Sequence, residues 1–356
     1  MIQLRNGRLI GLGEPCFLVA ELGQNHQGDV YTALRLTAMA QAAGCDAVKL
    51  CKRHLPGEMT AAQAARPYHG PHSFGDTYGA HREHLELPIR DYVHLHERIA
   101  YNGWDQLTLF ATVCHPVALD EIESHVDPPL YKIASRDLDN LPLIHAVAAT
   151  GKPVILSTGM VRDRGEIERA IQAVRHHHDQ LILLYCVSRY PCPDDAVHLR
   201  EIAAMKATYQ CDVGFSDHTV GIHLAQAAVA IGACVIEKHV TFSRAARGSD
   251  HAGSLEPRGL AAMVRNIRSI EAALSGSPSP APDPEVLLAR AKLARSLTSR
   301  VAIPAGTPIT EEMITLKSPG TGLPWHTRWR VLGSRARVAI PADVTLTEEM
   351  ITDGRV

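Results

Sequence analysis

With 356 residues and 46% apolar content, the chain is long enough for about two domains and can bury a full core, which excludes a disordered or fibrous protein. Its 36 Lys and Arg nearly cancel 38 Asp and Glu, and a net charge of −2 gives no chain-wide footprint for nucleic acid or an acidic membrane. The apolar strings, residues 181–187 among them, fall far short of the ~18 residues of a spanning helix, and MIQLRNGRLI lacks a signal-peptide layout, so a soluble, cytoplasmic protein is expected.

In chain order, IQLRNGRLIG places Asn6-Gly7 between two short alternating runs, the pattern of a hairpin with a two-residue turn, expected to cap the bottom of a barrel. Eight short strings rich in β-branched and apolar residues then alternate with longer segments of 3.6-residue period. They are FLVAEL (17–22), DAVKL (46–50), LTLFAT (107–112), LYKIAS (130–135), PVILST (153–158), LILLYCV (181–187), DVGFSD (212–217) and CVIEKHVT (234–241). Near-continuous apolar strands joined by helical crossovers predict a parallel sheet covered on both faces. Eight units in about 260 residues predict an α/β fold closed as a (β/α)8 TIM barrel over residues 1–274, with an open doubly wound sheet as the alternative.

The second connection, residues 52–88, is long and rich in Pro, Gly and His, as a lid or substrate wall would be. The barrel pattern ends at SGSPSPAPDP (275–284), and residues 275–292 are read as an extended linker. A small β-rich domain, 293–356, follows, in which RVAIPAGTPITEEMI (300–314) recurs as RVAIPADVTLTEEMI (337–351), an offset of 37 residues. Two copies of strand, turn and short helix predict a compact pseudo-two-fold module. The eight cysteines form no CxxC pair and lie in or beside apolar strings, as reduced core thiols do. His176-His177-His178 ends an amphipathic run and reads as a solvated helix end.

A barrel of this type carries its active site at the C-terminal ends of its strands. Nearly every end here is polar: Glu21, Lys49, Thr112, Lys132 with Ser135, Ser157 with Thr158, Ser188 with Tyr190, Ser216-Asp217-His218, and Glu237-Lys238-His239. Any one of these could be a capping hydroxyl or a snorkelling lysine, but the full set points to a site. His218 and His239 close neighbouring strands, so two imidazoles can converge. With nearby oxygens they suit a divalent ion used as a Lewis acid, Mn²⁺ first and Mg²⁺ or Co²⁺ next. Lys49, Lys132, Ser135, Ser157 and Ser188 supply the cations and hydroxyls that hold a phosphate together with a carboxylate. Glu21 is left near the metal to position or deprotonate water, or to donate to a carbonyl if its pKa is raised.

The strings FLVAELGQNHQGD, DAVKL, SFGDTYGAHREHLEL, YKIASRDLDNLPLI, GKPVILSTGM, YCVSRYPCP, GFSDHTVG, IEKHVT and GSDHAGSLEP, in this order, resemble the N-acetylneuraminate (sialic acid) synthase family. The resemblance spans nearly the whole chain, since the C-terminal domain with KSPGTG is similar to the antifreeze-like (SAF) domain of those synthases. It implies condensation of phosphoenolpyruvate with the open-chain aldehyde of an N-acyl hexosamine, giving a nine-carbon 2-keto-3-deoxy acid and phosphate. It implies that His218 and His239 bind the metal and that Glu21 meets the aldehyde oxygen or the attacking water. Lys49, Thr112, Lys132, Ser135, Ser157, Ser188 and Ser216 would hold phosphoenolpyruvate, while Tyr190 and Asp250 would meet the sugar hydroxyls. A homodimer with exchanged C-terminal domains is also implied.

The departures cluster on the sugar side. Where the family usually shows VKFQ this chain has VKLC, so Cys51 stands in place of a glutamine amide. Where the family shows KRPG it has Lys317-Ser318-Pro319-Gly320, so Ser318 replaces an arginine that reaches the N-acyl group across the dimer, and a hydroxyl cannot replace a guanidinium fork in kind. The acceptor therefore either lacks the usual N-acyl group or is held differently. Arg136 stands where glycine is common, either to meet an additional phosphate or as a surface arginine, and Cys114-His115 follows the third strand. Cys51 can be read as a nucleophile activated by nearby lysines, or more simply as a small wall residue. Two further readings stay open: condensation on a different aldose, and a non-catalytic sugar-binding barrel.

Overall fold

Each apolar string becomes a strand of one parallel sheet because the segment after it is a helix with a single apolar face, and that face is buried only by returning over the sheet. The computed structural model describes residues 1–276 and 281–352. The chain divides into two compact units, Met1–Gly276 and Ser277–Val356.

In the first unit, β1 (Ile2–Gln3) and β2 (Leu9–Ile10) pair as an antiparallel hairpin. The barrel strands are β3 (Phe17–Gly23), β4 (Ala47–Lys52), β5 (Thr108–Val113), β6 (Tyr131–Ile133), β7 (Val154–Ser157), β8 (Leu181–Cys186), β9 (Asp212–Asp217) and β10 (Val235–His239). They close in sequence order, β10 pairing with β3, and every neighbour is parallel. The closed barrel is thus the observed fold. The crossover helices begin and end where local chemistry directs: Asp29 caps Val30–Ala43 by accepting from the Tyr31 and Thr32 amides, and Gly44, at φ 82°, ends it. Among the described residues no helix is long and apolar enough to cross a membrane.

The pleat sorts the side chains. Leu18, Ala20 and Leu22 of β3 face the helices, and their neighbours Phe17 and Val19 face inward with Phe110, Leu130, Ile155, Ile182 and Val235. Ile2, Leu4 and Ile10 join this inner cluster, so the hairpin does seal the N-terminal end of the barrel. Its turn differs from expectation. The Leu4 amide donates to the Arg8 carbonyl at 2.9 Å and the Gly7 amide to the Leu4 carbonyl at 2.9 Å. Residues 5–7 therefore form a three-residue connection with Gly7 alone left-handed, at φ 84°; a two-residue type I′ turn would need Asn6 left-handed as well.

Residues 52–88 hold three short helices, Leu55–Glu58, Ala61–Ala64 and Tyr78–His84, before the crossover helix Ile89–Tyr101. His176 caps the C-terminus of Arg164–Arg175, with His176 and His177 exposed, as a solvated helix end requires. All eight cysteines are free. The segment expected to be an extended linker is partly helical: residues 277–280 lie outside the described residues, but Pro284–Leu293 is a helix, with the Asp283 carboxylate accepting from the Glu285 amide and Pro284 at the first turn.

In the second unit β11 (Ser296–Ser299) pairs antiparallel with β12 (Ile314–Lys317). The repeat is structural as well as sequential. Ile303 and Ile340, equivalent positions of the two copies, exchange both backbone hydrogen bonds, at 2.7 and 2.8 Å. Thr298 bridges Thr345 while Pro308 bridges Arg335, the same contact seen from each copy. The core of this unit takes matching residues from both: Ile303 and Ile340, Ile309 and Leu346, Ile314 and Ile351.

A buried ion pair locks β10 to the loop after β9. Lys238, wholly buried, donates to Asp217 Oδ2 at 2.8 Å and to the Thr219 carbonyl at 2.6 Å, while Asp217 Oδ1 accepts from the Thr219 amide and hydroxyl at 2.8 and 2.7 Å. Replacing only the cation leaves a buried carboxylate unpaired, so Lys238→Met is expected to lower unfolding free energy by about 3–5 kcal/mol, read from the urea midpoint.

Candidate active site

One pleat step above the apolar inner cluster, the inward positions turn polar. Glu21, Lys49, Thr112, Lys132, Ser157, Ser216 and Glu237 project into the upper end of the barrel, one from nearly every strand, and line a cleft of ≈ 440 Å³. Of the residues expected in the site, Glu21, Lys49, Cys51, Thr112, Lys132, Ser135, Ser157, Ser188, Tyr190, Ser216, His218, His239 and Asp250 all line this one cleft. Ser318 belongs to the second unit, where it is exposed and its hydroxyl donates to the Leu293 carbonyl at 3.1 Å.

The centre of the cleft is a charge lattice. Lys49 Nζ contacts the Glu21 carboxylate, donates to Thr112 Oγ1 at 2.8 Å and lies 3.7 Å from Glu237 Oε2. Lys132 Nζ lies 3.9 Å from Glu237 Oε1, which also accepts from Ser216 Oγ at 3.0 Å. Burial disfavours charge on both glutamates, with opposite outcomes. At Glu237 the two lysines and the Ser216 hydroxyl outweigh burial and bring the carboxyl down to about 2. At Glu21 burial wins over Lys49, the nearby Glu237 charge adds to it, and the carboxyl is pushed up to about 7. Burial also lowers the Lys132 ammonium. Beside this lattice stand hydroxyls: Ser135 Oγ accepts from the Gly159 amide at 2.9 Å, and the buried Ser157 Oγ has no protein partner.

Opposite, the two imidazoles stand 5.5 Å apart between ring centres, with Tyr190 at 4.1 Å from His218 and 5.9 Å from His239. His218 Nδ1 faces the Val187 carbonyl at 2.9 Å and so carries the proton, leaving Nε2 as the lone-pair nitrogen. His239 Nδ1 is buried without a hydrogen-bond partner, and Asp250 Oδ2 lies 3.8 Å away. Burial, with His218 and Lys49 nearby, lowers the His239 imidazole to about 4. Gly23 allows His239 to sit here: a Cβ at Gly23 would lie 2.9 Å from His239 Cε1, and its φ of 53° is left-handed. The register between β3 and β4 shifts between Glu21 and Gly23, a bulge that re-aims this strand end. Among the described residues no three His, Cys, Asp or Glu side chains are grouped to hold a metal unaided.

The cleft also holds residues to which the sequence alone assigns no role. Glu237 is visible as a strand-end polar residue two positions before His239, and the period of two puts it on the same inner face. Gln24, Arg53, Tyr78, Arg82 and Arg136 also line the wall. Arg53, Tyr78 and Arg82 come from residues 52–88, where no period marks which side chains turn inward. Arg136, on the turn after β6, is exposed and also lines the cleft; it pairs with Glu58 at 3.3 Å and Asp137 at 3.2 Å.

A model of the NeuB family matches residues 36–278, and one of the SAF domain matches residues 294–352. The chain is 36% identical over 321 residues to the N-acetylneuraminate-9-phosphate synthase of Homo sapiens, covering 89% of this chain and 87% of that protein. It is 34% identical over 332 residues to the N,N'-diacetyllegionaminic acid synthase of Legionella pneumophila, covering 91% of each. Among solved structures, the N-acetylneuraminic acid synthetase of Leptospira borgpetersenii superposes with a TM-score of 0.68 at 32% identity, covering 81% of this chain and 94% of that one.

The split between the two glutamates can be observed directly. pH-difference infrared spectra, with Glu21→Gln as the subtraction control, should show one carboxyl titrating at about 7. Lys49→Met removes a cation from beside it and should move that titration to higher pH; a Glu21 signal confined to the ordinary carboxylate range would contradict the assignment.

Proposed function

This chain belongs to the NeuB family of condensing enzymes, and on that premise we propose that it joins phosphoenolpyruvate to the aldehyde carbon of an open-chain aldose, releasing phosphate and a 2-keto-3-deoxy sugar acid. The observation that carries this reading is the division of one cleft into a wall of cations and hydroxyls and a facing imidazole pair, with a neutral-range carboxyl between them. Lys132, Ser135, Ser157, Ser188 and Ser216 hold the phosphate and carboxylate of phosphoenolpyruvate, and Lys49 with Thr112 completes that wall. The lattice with Glu21 and Glu237 keeps these lysines fixed before substrate arrives, so little reorganisation is needed at the reacting carbons.

The enol π pair at carbon 3 forms the new bond to the aldehyde carbon, and the aldehyde oxygen takes a proton from Glu21. Water then adds at carbon 2, giving one proton to the Glu21 carboxylate, and phosphate leaves by C–O cleavage, taking the remaining hydroxyl proton as carbon 2 becomes the ketone. A carboxyl near 7 suits both the donating and the accepting step. His218 Nε2 and the unpartnered Nδ1 of His239 fit a divalent ion that takes two nitrogens and fills its other positions with oxygens, Mn²⁺ first and Mg²⁺ or Co²⁺ next. Such an ion, when bound, polarises the aldehyde. Tyr190 and Asp250, beside the imidazoles, meet the sugar hydroxyls.

The acceptor is the part on which this chain departs from its relatives. Cys51 offers no amide and Ser318 no guanidinium, which favours an aldose without the usual N-acyl group, or one held differently. The intact cleft disfavours a non-catalytic reading. A cytoplasmic location follows from the need for phosphoenolpyruvate, and a homodimer with exchanged C-terminal domains would bring Ser318 to a partner's cleft.

Purified protein with phosphoenolpyruvate and Mn²⁺, tested against acylated, non-acylated and phosphorylated aldoses, should release phosphate with a product heavier by one pyruvate unit. Chelator or His218→Ala should abolish it; phosphoenolpyruvate binding with no turnover on any aldose would count against condensation. Because Glu21 enters the cycle protonated, kcat/KM should fall as pH rises through about 7. Glu21→Gln should remove that limb and lower kcat by roughly 10²–10⁴-fold.

A further inference from the structure

The condensation makes no use of the sulfur pair in the cleft wall. Cys51 Sγ lies 3.3 Å from Cys114 Sγ. Cys51, near the C-terminal end of β4, is half-buried and lines the cleft, while Cys114, just past β5, is buried behind it and tied to β4 by its amide, which donates to the Lys52 carbonyl at 3.2 Å. The two strands are paired in register through Cys51 with Thr112 and Lys52 with Val113, so the sulfurs are held together by the barrel itself.

The surroundings are those of a reactive thiol. The Cys114 thiol donates to Cys51, and Arg53, Arg136 and Lys49 stand close enough to stabilise a thiolate there, outweighing burial and holding Cys51 well below the ordinary thiol range. At Cys45 and Cys234 burial dominates, aided by Asp46 and Asp212 respectively, and pushes both up to about 12. Cys51 thus lines the cleft, is favoured as a thiolate and has a second sulfur within reach; Cys186 also lines the cleft, but its sulfur faces Ser188 and His218, each at 3.8 Å, and not another thiol.

We propose that Cys51 and Cys114 form a reversible disulfide driven by hydroperoxides, making the cleft wall a redox modification site. The Cys51 thiolate attacks one peroxide oxygen, the O–O bond breaks, and the departing oxygen takes a proton to leave as water or an alcohol. Cys51 is then a sulfenic acid, oxidised by two electrons while the peroxide is reduced by two. Cys114 sulfur attacks the sulfenic sulfur, the S–O bond breaks, and hydroxide leaves with the Cys114 proton as water. A dithiol reductant reverses the bond and is itself oxidised to a disulfide. The bond turns Cys51 Sγ toward Cys114 and removes the negative charge that faces Arg53 and Arg136. On the reading that the cleft holds the aldose, oxidation therefore impairs acceptor turnover.

The test uses the full chain, reduced and then treated with hydrogen peroxide. Intact mass should fall by two hydrogen atoms, peptide mapping should link Cys51 to Cys114, and dithiothreitol should restore both thiols. In Cys114→Ser the cross-link should be replaced by a Cys51 sulfenic acid captured by dimedone. A map in which another cysteine reacts first, or in which Cys51 is oxidised without linking to Cys114 in the unsubstituted protein, overturns the proposal. Should the cross-link form while no aldose is turned over in either redox state, the modification site stands and the condensation reading fails instead.

Discussion

Two carboxyl groups and two lysines inside a barrel are costly, since each must leave water, and the interior recovers that cost only through mutual contact and hydrogen bonds. Glu21, Lys49, Lys132 and Glu237 meet this condition as a set, with Thr112 and Ser216 taking up further polar contacts. A hydrophobic replacement would pack as well or better, so the lattice is explained by the chemistry of the cleft and not by stability. Everything else in the first unit keeps these four groups in place: the closed ring fixes strand spacing, the pleat turns them inward, and the apolar layer beneath, sealed by Ile2, Leu4 and Ile10, keeps water from the other end.

The same constraint explains how much of the molecule is legible in its sequence. Eight apolar strings of strand length, each followed by a helix, leave few topologies, and the strand ends then name Glu21, Lys49, Lys132, His218 and His239 without reference to any relative. Period two also points at Glu237, but its importance is a matter of distance to two lysines on other strands, which no local pattern records. Arg53, Tyr78 and Arg82 come from a connection of short helices whose inward residues follow no period. The helix Pro284–Leu293 is hidden by the Pro and Ser before it, although Asp283 and Pro284 are themselves a helix start. The Asn6-Gly7 pair signals a hairpin correctly and its length wrongly, because both turn types accept glycine at that point.

The cleft is built in two different ways. Its wall of cations and hydroxyls comes largely from strand ends, whose positions the hydrogen-bonded ring fixes. Its other wall borrows Arg53, Tyr78 and Arg82 from a long connection, and Arg136 from a short turn, so it can vary without disturbing the barrel. Cys51, Cys114 and Arg136, read in the sequence as departures from the family pattern, stand on that second wall or beside it. A family that keeps one reaction and changes its acceptor would be expected to vary there.

The repeat in the second unit has a meaning beyond its compactness. Because Ile303 meets Ile340, and Thr298 meets Thr345 as Pro308 meets Arg335, the two copies contact each other through one self-complementary surface, as the subunits of an isologous dimer do. The core of the unit draws on both sides of that interface: Ile303, Ile309 and Ile314 share one buried cluster with Ile340, Leu346 and Ile351. The domain is thus a dimer written into one polypeptide. With both copies in one chain, their association does not depend on protein concentration.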